Sequence, residues 1–281
     1  MKYLDLFELD KKIEIMDIGA AVINETPIYS TLVENKIGNL NLFEGDDRQL
    51  EKLKLKYHDN IKLFNEFLFD GSDQNLYLAT PESGMTSLFK PNEKVLNFFN
   101  DFNYFGKINE IKKIKTSKLN DIKELPLIDF AKLDVQGSEL TILKNGNFKL
   151  AKCLAIQVEV SHVCLYENQP TFGEIDLWMR KNGYIPHTFV DIKRWSIFPT
   201  IFDNNPKVPG NQLLESDIIY IKDPFRIENL EDEQVKKLIL LSHYCFRSVD
   251  LSVFFILELE KRKVLEKGIF KNYMANLKKF S

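Results

Sequence analysis

From Ile13 onward, short apolar runs alternate with segments of helical spacing, a pattern that predicts an α/β fold with a mostly parallel, doubly wound sheet. Ile13 to Ile18 reads as a buried strand, Pro27 to Lys36 as a helix with Pro27 in its first turn, and Leu40 to Phe43 as a second strand. Asp46 caps a helix reaching about Lys56, and Ile61 to Phe69 alternates as a third strand. Asp70-Gly71 and Gln74-Asn75 supply turn chemistry before a strand at Leu76 to Ala79, so a hairpin excursion is expected there. Pro81 to Asn109 reads as loop and helix over the carboxyl edge of the sheet. Ile111 to Ser117 is a strand, and Leu127 to Val135 a buried parallel strand. Ser138 to Asn145 forms a helix stopped by Gly146. Leu154 to Val160 is a further buried strand, Phe172 to Asn182 a helix ending at Gly183, and Asp217 to Ile221 a late strand closing the sheet. Pro199 to Gly210 holds three prolines and little periodicity, which marks an irregular loop. Beyond Glu231, Glu233 to Phe246 and Val249 to Glu266 make an amphipathic helical hairpin. The expected organisation is one α/β domain over residues 1–226 with a C-terminal helical appendage over 227–281.

With 281 residues, 44% hydrophobic and 28% charged, the chain has apolar surface enough for one sizeable core, which excludes disorder. A formal net charge of -3 gives no field for a phosphate backbone, so nucleic acid is not an expected partner. The densest basic stretch, Lys107 to Lys118, spaces its lysines among isoleucines and reads as a solvated strand or loop. Cys153, Cys164 and Cys245 are too scattered for a metal knuckle or a disulfide framework, so no metal site is expected from them. Without a secretory pattern at Met1 to Lys12 or an apolar run long enough to span a bilayer, a soluble cytoplasmic protein is expected.

Candidate chemistry collects where the strands end. Asp17-Ile18-Gly19-Ala20 puts a carboxylate and a glycine at the end of the first strand, where open α/β sheets bind ligands; a following helix N-terminus would favour an anionic group. Glu44 ends the second strand 27 residues after Asp17, near the spacing at which an acid grips ribose hydroxyls. A carboxylate suits a diol because it accepts two hydrogen bonds in a fork. The competing reading makes Glu44, Asp46 and Asp47 the acidic start of a helix. The buried strand near residue 130 runs through Lys132 to Asp134 into a polar turn, Val135-Gln136-Gly137-Ser138-Glu139. Glu159 ends the neighbouring strand with His162 beyond it, and histidine titrates where a general base works.

The segment Ile128-Asp129-Phe130-Ala131-Lys132-Leu133-Asp134-Val135-Gln136-Gly137-Ser138-Glu139 resembles the signature of the FkbM family of methyltransferases. Lys132, Asp134, Gly137, Glu139 and Leu143 match in place, and Gln136 stands where the family usually has Glu. The resemblance runs from about Ile13 to Lys222, through Asp17-x-Gly-Ala, Glu44, Ser83 to Leu88, Val158-Glu159-Val160, Gly183-Tyr184 and Asp217 to Tyr220. One departure follows Gly19-Ala20: the family usually carries Asn and another Gly, and this chain has Ala21-Val22-Ile23-Asn24.

The resemblance implies a Rossmann-like class I methyltransferase with S-adenosylmethionine over the first two strands. Asp17, Gly19 and Ala20 would border the methionine moiety, Glu44 the ribose, and Leu68, Phe69 and Asp70 the adenine edge. Asp134 would sit beside the transferred methyl, contacting cofactor and acceptor, with Glu159 and His162 reaching the same pocket as candidate bases. A Mg²⁺ site from Asp134, Glu159 and His162 is a less favoured reading. Ser83, Thr86 and Ser87 would offer hydroxyls on the substrate side, and Trp195 an aromatic face to the acceptor. Family precedent favours a hydroxyl on a glycan sugar or another small-molecule acceptor such as a secondary metabolite. The competing readings are an NAD-dependent oxidoreductase, for which the phosphate glycines are missing, and a Rossmann-like binding module without catalysis.

Overall fold

The computed structural model describes residues 7–20, 26–56, 61–80 and 83–277, apart from the side chains of residues 47 and 48. In chain order its elements are β1 (Ile13–Ile18), α1 (Ser30–Glu34), β2 (Gly38–Phe43), α2 (Asp47–Lys56), β3 (Ile61–Phe64) and β4 (Asp73–Ala79). Then come α3 (Glu93–Leu96), α4 (Phe102–Phe105), β5 (Ile108–Lys115), β6 (Phe130–Leu133), α5 (Glu139–Lys144), β7 (Ala155–Ser161) and α6 (Phe172–Lys181). The chain closes with β8 (Tyr184–Trp195), β9 (Gln212–Lys222), α7 (Asp232–Tyr244), α8 (Val249–Lys261) and α9 (Ile269–Leu277).

Seven strands form one sheet in the order β3-β2-β1-β6-β7-β9-β8, while β4 and β5 pair antiparallel as a separate ribbon. The chain crosses from β3 back over to β6, so the sheet is wound outward from β1 in both directions, the Rossmann-like arrangement. β6 and β7 run parallel, and β9 then pairs antiparallel with both β7 and β8.

Two compact units make up the chain. One contains Met16–Val22 and Asn41–Lys222; the other gathers Met1–Ile15, Ile23–Leu40 and Asp223–Ser281. In the first unit the strands are two-faced. Met16 and Ile18 of β1, Ala131 and Leu133 of β6, Ile156, Val158 and Val160 of β7 and Ile218 and Tyr220 of β9 share a core with Leu140 and Leu143 of α5 and Ile175 and Met179 of α6. Side chains alternate across a strand, so the intervening residues Asp17, Lys132, Asp134, Gln157, Glu159 and Asp217 line the opposite face. α6 is held at its start by a capping box: Thr171 Oγ1 accepts from the Glu174 N–H at 3.4 Å, and the Glu174 carboxylate accepts from the Thr171 N–H at 2.8 Å.

In the second unit α7 and α8 pack as the expected hairpin, with Val235, Leu238, Leu241, Phe255, Ile256 and Leu259 buried. Arg262 fixes its base by donating to the Leu230 and Ile227 carbonyls, both at 2.7 Å, and by pairing with Asp232 and Glu258 at 3.0 Å. α9 adds Tyr273, whose hydroxyl lies 3.0 Å from His243 Nδ1.

Candidate active site

The carboxyl ends of β1, β2 and β6 are tied to one another through the backbone. The Asp134 N–H donates to the Ile18 carbonyl at 3.1 Å, and the Gly19 N–H donates to the Phe43 carbonyl at 3.2 Å. Gly19 has φ +79°, and a Cβ there would stand 1.9 Å from the Asp134 carbonyl oxygen. Only glycine fits, because the left-handed backbone and the close approach both exclude a side chain. The helix expected over Pro27 to Lys36 is α1, Ser30–Glu34, five residues long. The sequence departure at Ala21 to Asn24 lies outside the described residues, as do residues 1–6 and 81–82.

Asp17 is buried, and Asp17 and Asp134 flank a common cation: Lys132 Nζ lies 3.7 Å from Asp17 Oδ1 and 3.2 Å from Asp134 Oδ2. Burial alone would discharge this lysine, but Asp17, Asp134 and Asp217 together outweigh that penalty and push its pKa up. One fixed positive charge therefore sits between the ends of β1 and β6.

Glu44 follows β2. Its N–H donates to the Phe64 carbonyl at 3.1 Å, Phe43 stacks on Phe64 at 4.5 Å, and its Oε1 accepts from the Asp46 N–H at 2.8 Å. Burial lifts its pKa to about 7, with Asp46 and Asp17 adding like-charge repulsion and two backbone N–H bonds opposing. The carboxyl thus sits ahead of α2 with its Oε1 on the backbone. Leu68 and Phe69 are buried next to the end of β3, bridged to Ser117, with the Phe69 N–H donating to the Ser117 carbonyl at 2.9 Å. Asp70 accepts from the N–H and hydroxyl of Ser72, which hold its pKa below the usual carboxylate range, so it braces the turn at Gly71 that leads into β4.

After β6 the chain turns sharply. Gln136 has φ 55° and Gly137 φ 110°, and Glu139 Oε1 closes the turn by accepting the N–H groups of Val135 at 3.0 Å and Gly137 at 3.2 Å. Glu139 is fully buried, and burial lifts its pKa to about 7 against those backbone bonds. The signature's second acid is therefore a brace for the turn that presents Asp134. Gln136 Nε2 donates to Glu159 Oε2 at 2.8 Å and approaches Asp134 Oδ1 at 3.4 Å, bringing these two expected site residues together. Burial raises the pKa of Glu159 well above the ordinary value, reinforced by Glu215 and Asp134 and opposed by Lys193.

His162 does not join them. It follows Val160 on the α6 face, where Nε2 lies 2.8 Å from Ser216 Oγ and the ring meets Phe172 edge-on at 5.5 Å; burial lowers its pKa. Among the described residues no three His, Cys, Asp or Glu side chains are grouped to hold a metal ion, so the Mg²⁺ reading from Asp134, Glu159 and His162 has no cluster behind it. Trp195 is likewise packed inward, edge-on to Phe102 at 5.1 Å, with its indole N–H donating to the Asn100 carbonyl at 2.8 Å.

Of the three hydroxyls expected on the substrate side, Ser87 donates to the Gln136 carbonyl at 2.6 Å, Ser83 to the Thr80 carbonyl at 2.7 Å, and Thr86 accepts from the Ala79 N–H at 3.3 Å. Gln136, Tyr166, Lys193 and Glu215 were not singled out in the sequence as site residues. Only Gln136, as a departure from the signature, carried a signal there. A groove of about 490 Å³ lies against the β4–β5 ribbon, lined by Tyr77, Lys90, Glu93, Asn97, Asn103 and Lys107, apart from these residues.

A doubly wound sheet whose carboxyl edge carries acids on β1, β2, β6 and β7 is the frame of a Rossmann-like class I methyltransferase. The chain belongs to the methyltransferase FkbM domain family, whose profile matches residues 10–186. Similar solved structures include a putative methyltransferase from Thermoplasma acidophilum, 12% identical over 76% of this chain and 70% of that one, with a TM-score of 0.37. A precorrin-6y C5,15-methyltransferase from Geobacter metallireducens GS-15 is 14% identical over 78% and 85%, with a TM-score of 0.38. Magnesium protoporphyrin IX methyltransferase from Synechocystis PCC 6803, solved with bound SAM, is 7% identical over 76% and 71%, with a TM-score of 0.37. No curated protein matches the sequence.

Proposed function

We propose that this methyltransferase uses S-adenosylmethionine to methylate a hydroxyl group on a small molecule, a glycan sugar or a secondary metabolite. The observation that carries the reading is the knot of backbone bonds that brings Gly19, Glu44 and Asp134 to one edge of the sheet. The chemistry of the donor set fits the cofactor. Glu44 can accept both protons of a ribose diol, Leu68 and Phe69 offer an apolar edge to adenine, and Asp17 and Asp134 suit a cationic sulfonium. Gly19 and Ala20 would border the methionine end. Both spend their N–H groups on the Phe43 carbonyl, at 3.2 and 3.4 Å, which argues against a pyrophosphate cradle and so against a dinucleotide.

The bound cofactor would supply an electrophilic methyl group, whose bond to sulfur breaks as the bond to the acceptor oxygen forms. This chain's residues would align the acceptor and take its proton. Asp134 stands at the methyl-transfer edge with its charge fixed in direction by Lys132. Glu159, held next to it through Gln136, receives the proton that leaves the acceptor hydroxyl. Its raised proton affinity makes it, once ionised, a stronger base than an ordinary carboxylate. Free thiols at Cys153, Cys164 and Cys245, and the lack of a helix long and apolar enough to cross a membrane among the described residues, support a cytoplasmic location. Incubating the protein with methyl-labelled S-adenosylmethionine and panels of sugars and cell extracts tests the reading. Label transferred to an oxygen is expected. Transfer only to carbon or nitrogen would overturn the hydroxyl assignment.

A further inference from the structure

Gln136 is the residue through which the turn after β6 reaches the next strand. Its backbone is held in the left-handed region, φ 55°, with its carbonyl accepting from Ser87 Oγ at 2.6 Å. Its side chain is satisfied at both ends. Oε1 accepts from the Tyr166 hydroxyl at 3.0 Å, whose proton also faces the Met85 carbonyl at 3.3 Å, and Nε2 donates to Glu159 Oε2 at 2.8 Å with Asp134 Oδ1 at 3.4 Å. Tyr166 is buried, and burial raises its pKa, so it remains a donor. A phenol that donates to the amide oxygen leaves the amide N–H groups facing the carboxylates. Asp134 of β6, Glu139 of α5 and Glu215 and Asp217 of β9 surround Glu159 with negative charge. Lys193 of β8 answers it at 3.4 Å while pairing with Glu215 at 2.7 Å, and Lys132 stands beside Asp134. In such a cluster a neutral donor adds a hydrogen bond without adding charge.

We propose that Gln136 is a positioning residue that, locked by Tyr166, orients Glu159 beside Asp134 and sets how tightly Glu159 holds a proton. The role in turnover rests on reading Glu159 as the acceptor-side base; the hold on Glu159 does not. A carboxylate at position 136 would meet Glu159 at hydrogen-bond distance and force the two to share a proton, while an apolar side chain would leave the ionised Glu159 without its donor. Both changes favour the protonated form.

The experiment is a pH titration of the Glu159 side-chain carboxyl by carbon-13 NMR in the full chain, assigned by its absence in Glu159→Gln. Gln136→Glu and Gln136→Met are each expected to raise the proton affinity of Glu159 by about tenfold, and Tyr166→Phe by less. In Gln136→Glu the titration should also split into two steps. A role confined to packing would lower the melting temperature and leave the Glu159 midpoint where it is in wild type. Unmoved midpoints in Gln136→Met and in whichever other variants fold would overturn the proposal. Calorimetry of wild type with S-adenosylmethionine separates the two claims. Absence of binding overturns the cofactor reading, while the midpoints alone judge the hold of Gln136 on Glu159.

Discussion

Asp134 and Gly19 share one junction and are expected to fail differently. Asp134→Asn keeps shape and removes charge from the edge where methyl transfer would occur. A single-turnover rate lower by about 10² to 10⁴ is expected, as for a lost acid-base group, with cofactor affinity changed far less. Equal rates in both proteins would remove Asp134 from the chemistry and leave Glu159 as the group to test. Gly19→Ala should cost folding itself, since its methyl group would meet the Asp134 carbonyl at 1.9 Å in a backbone conformation alanine avoids. A destabilisation above about 2 kcal/mol by urea unfolding is expected, and a wild-type midpoint would contradict the tight junction. Asp17, Glu44 and Asp134 were legible in the sequence because strand ends reveal themselves by where apolar runs stop. Gln136 appeared only as a substitution in a signature, and its partner Tyr166 not at all. Their meeting depends on a loop folding back over 30 residues, which no local pattern encodes.

Elements were legible where burial imposed a simple phase. β1 falls on the expected Ile13 to Ile18, and β7 on Ala155–Ser161, because both lie inside the sheet and are apolar or buried along their length. β8 gave no strand signal. It is the edge strand, its middle is exposed, it contains Pro186, and its pairing with β9 shifts register three times, so no alternation survives along it. The expected strand Ile61 to Phe69 stops at Phe64, and α1 is shorter than Pro27 to Lys36 because Lys36 turns left-handed at φ 60°. The basic stretch expected to be solvated is β5, exposed over most of its length in the two-stranded ribbon. α6 was visible from end to end, and its capping box gives a local test. Thr171→Ala removes the acceptor for the Glu174 N–H and is expected to cost about 1 kcal/mol. An unchanged melting temperature would show that the box contributes nothing.

Over the whole molecule, the buried acids set the pH dependence of stability. Burial raises Glu44 and Glu139 to about 7, and burial with Asp134 nearby raises Asp217 to about 6; Glu159 is raised as well. Each binds its proton more tightly folded than unfolded. Each contribution is therefore complete below about pH 4, the unfolded carboxyl range, and is lost as pH climbs to about 7 for Glu44 and Glu139 and to about 6 for Asp217, with Glu159 acting in the same direction. His162 and His243, whose pKa values burial lowers, act the other way below about pH 6.5, but they are two against four. The urea midpoint should accordingly fall between pH 5.5 and pH 8. A midpoint that rises across that interval would mean the acids are ionised and paired in the folded protein.

The central claim, a cofactor held between Gly19 and Glu44, is tested most directly by titrating the protein with S-adenosylmethionine in a calorimeter at pH 6 and pH 8, beside Glu44→Ala and beside NAD. Micromolar binding of S-adenosylmethionine is expected, tighter at pH 8 because the ionised carboxylate of Glu44 accepts the diol, weaker by about tenfold or more in Glu44→Ala, with no heat from NAD. No heat with S-adenosylmethionine in wild type, or equal affinity in Glu44→Ala, would contradict the account.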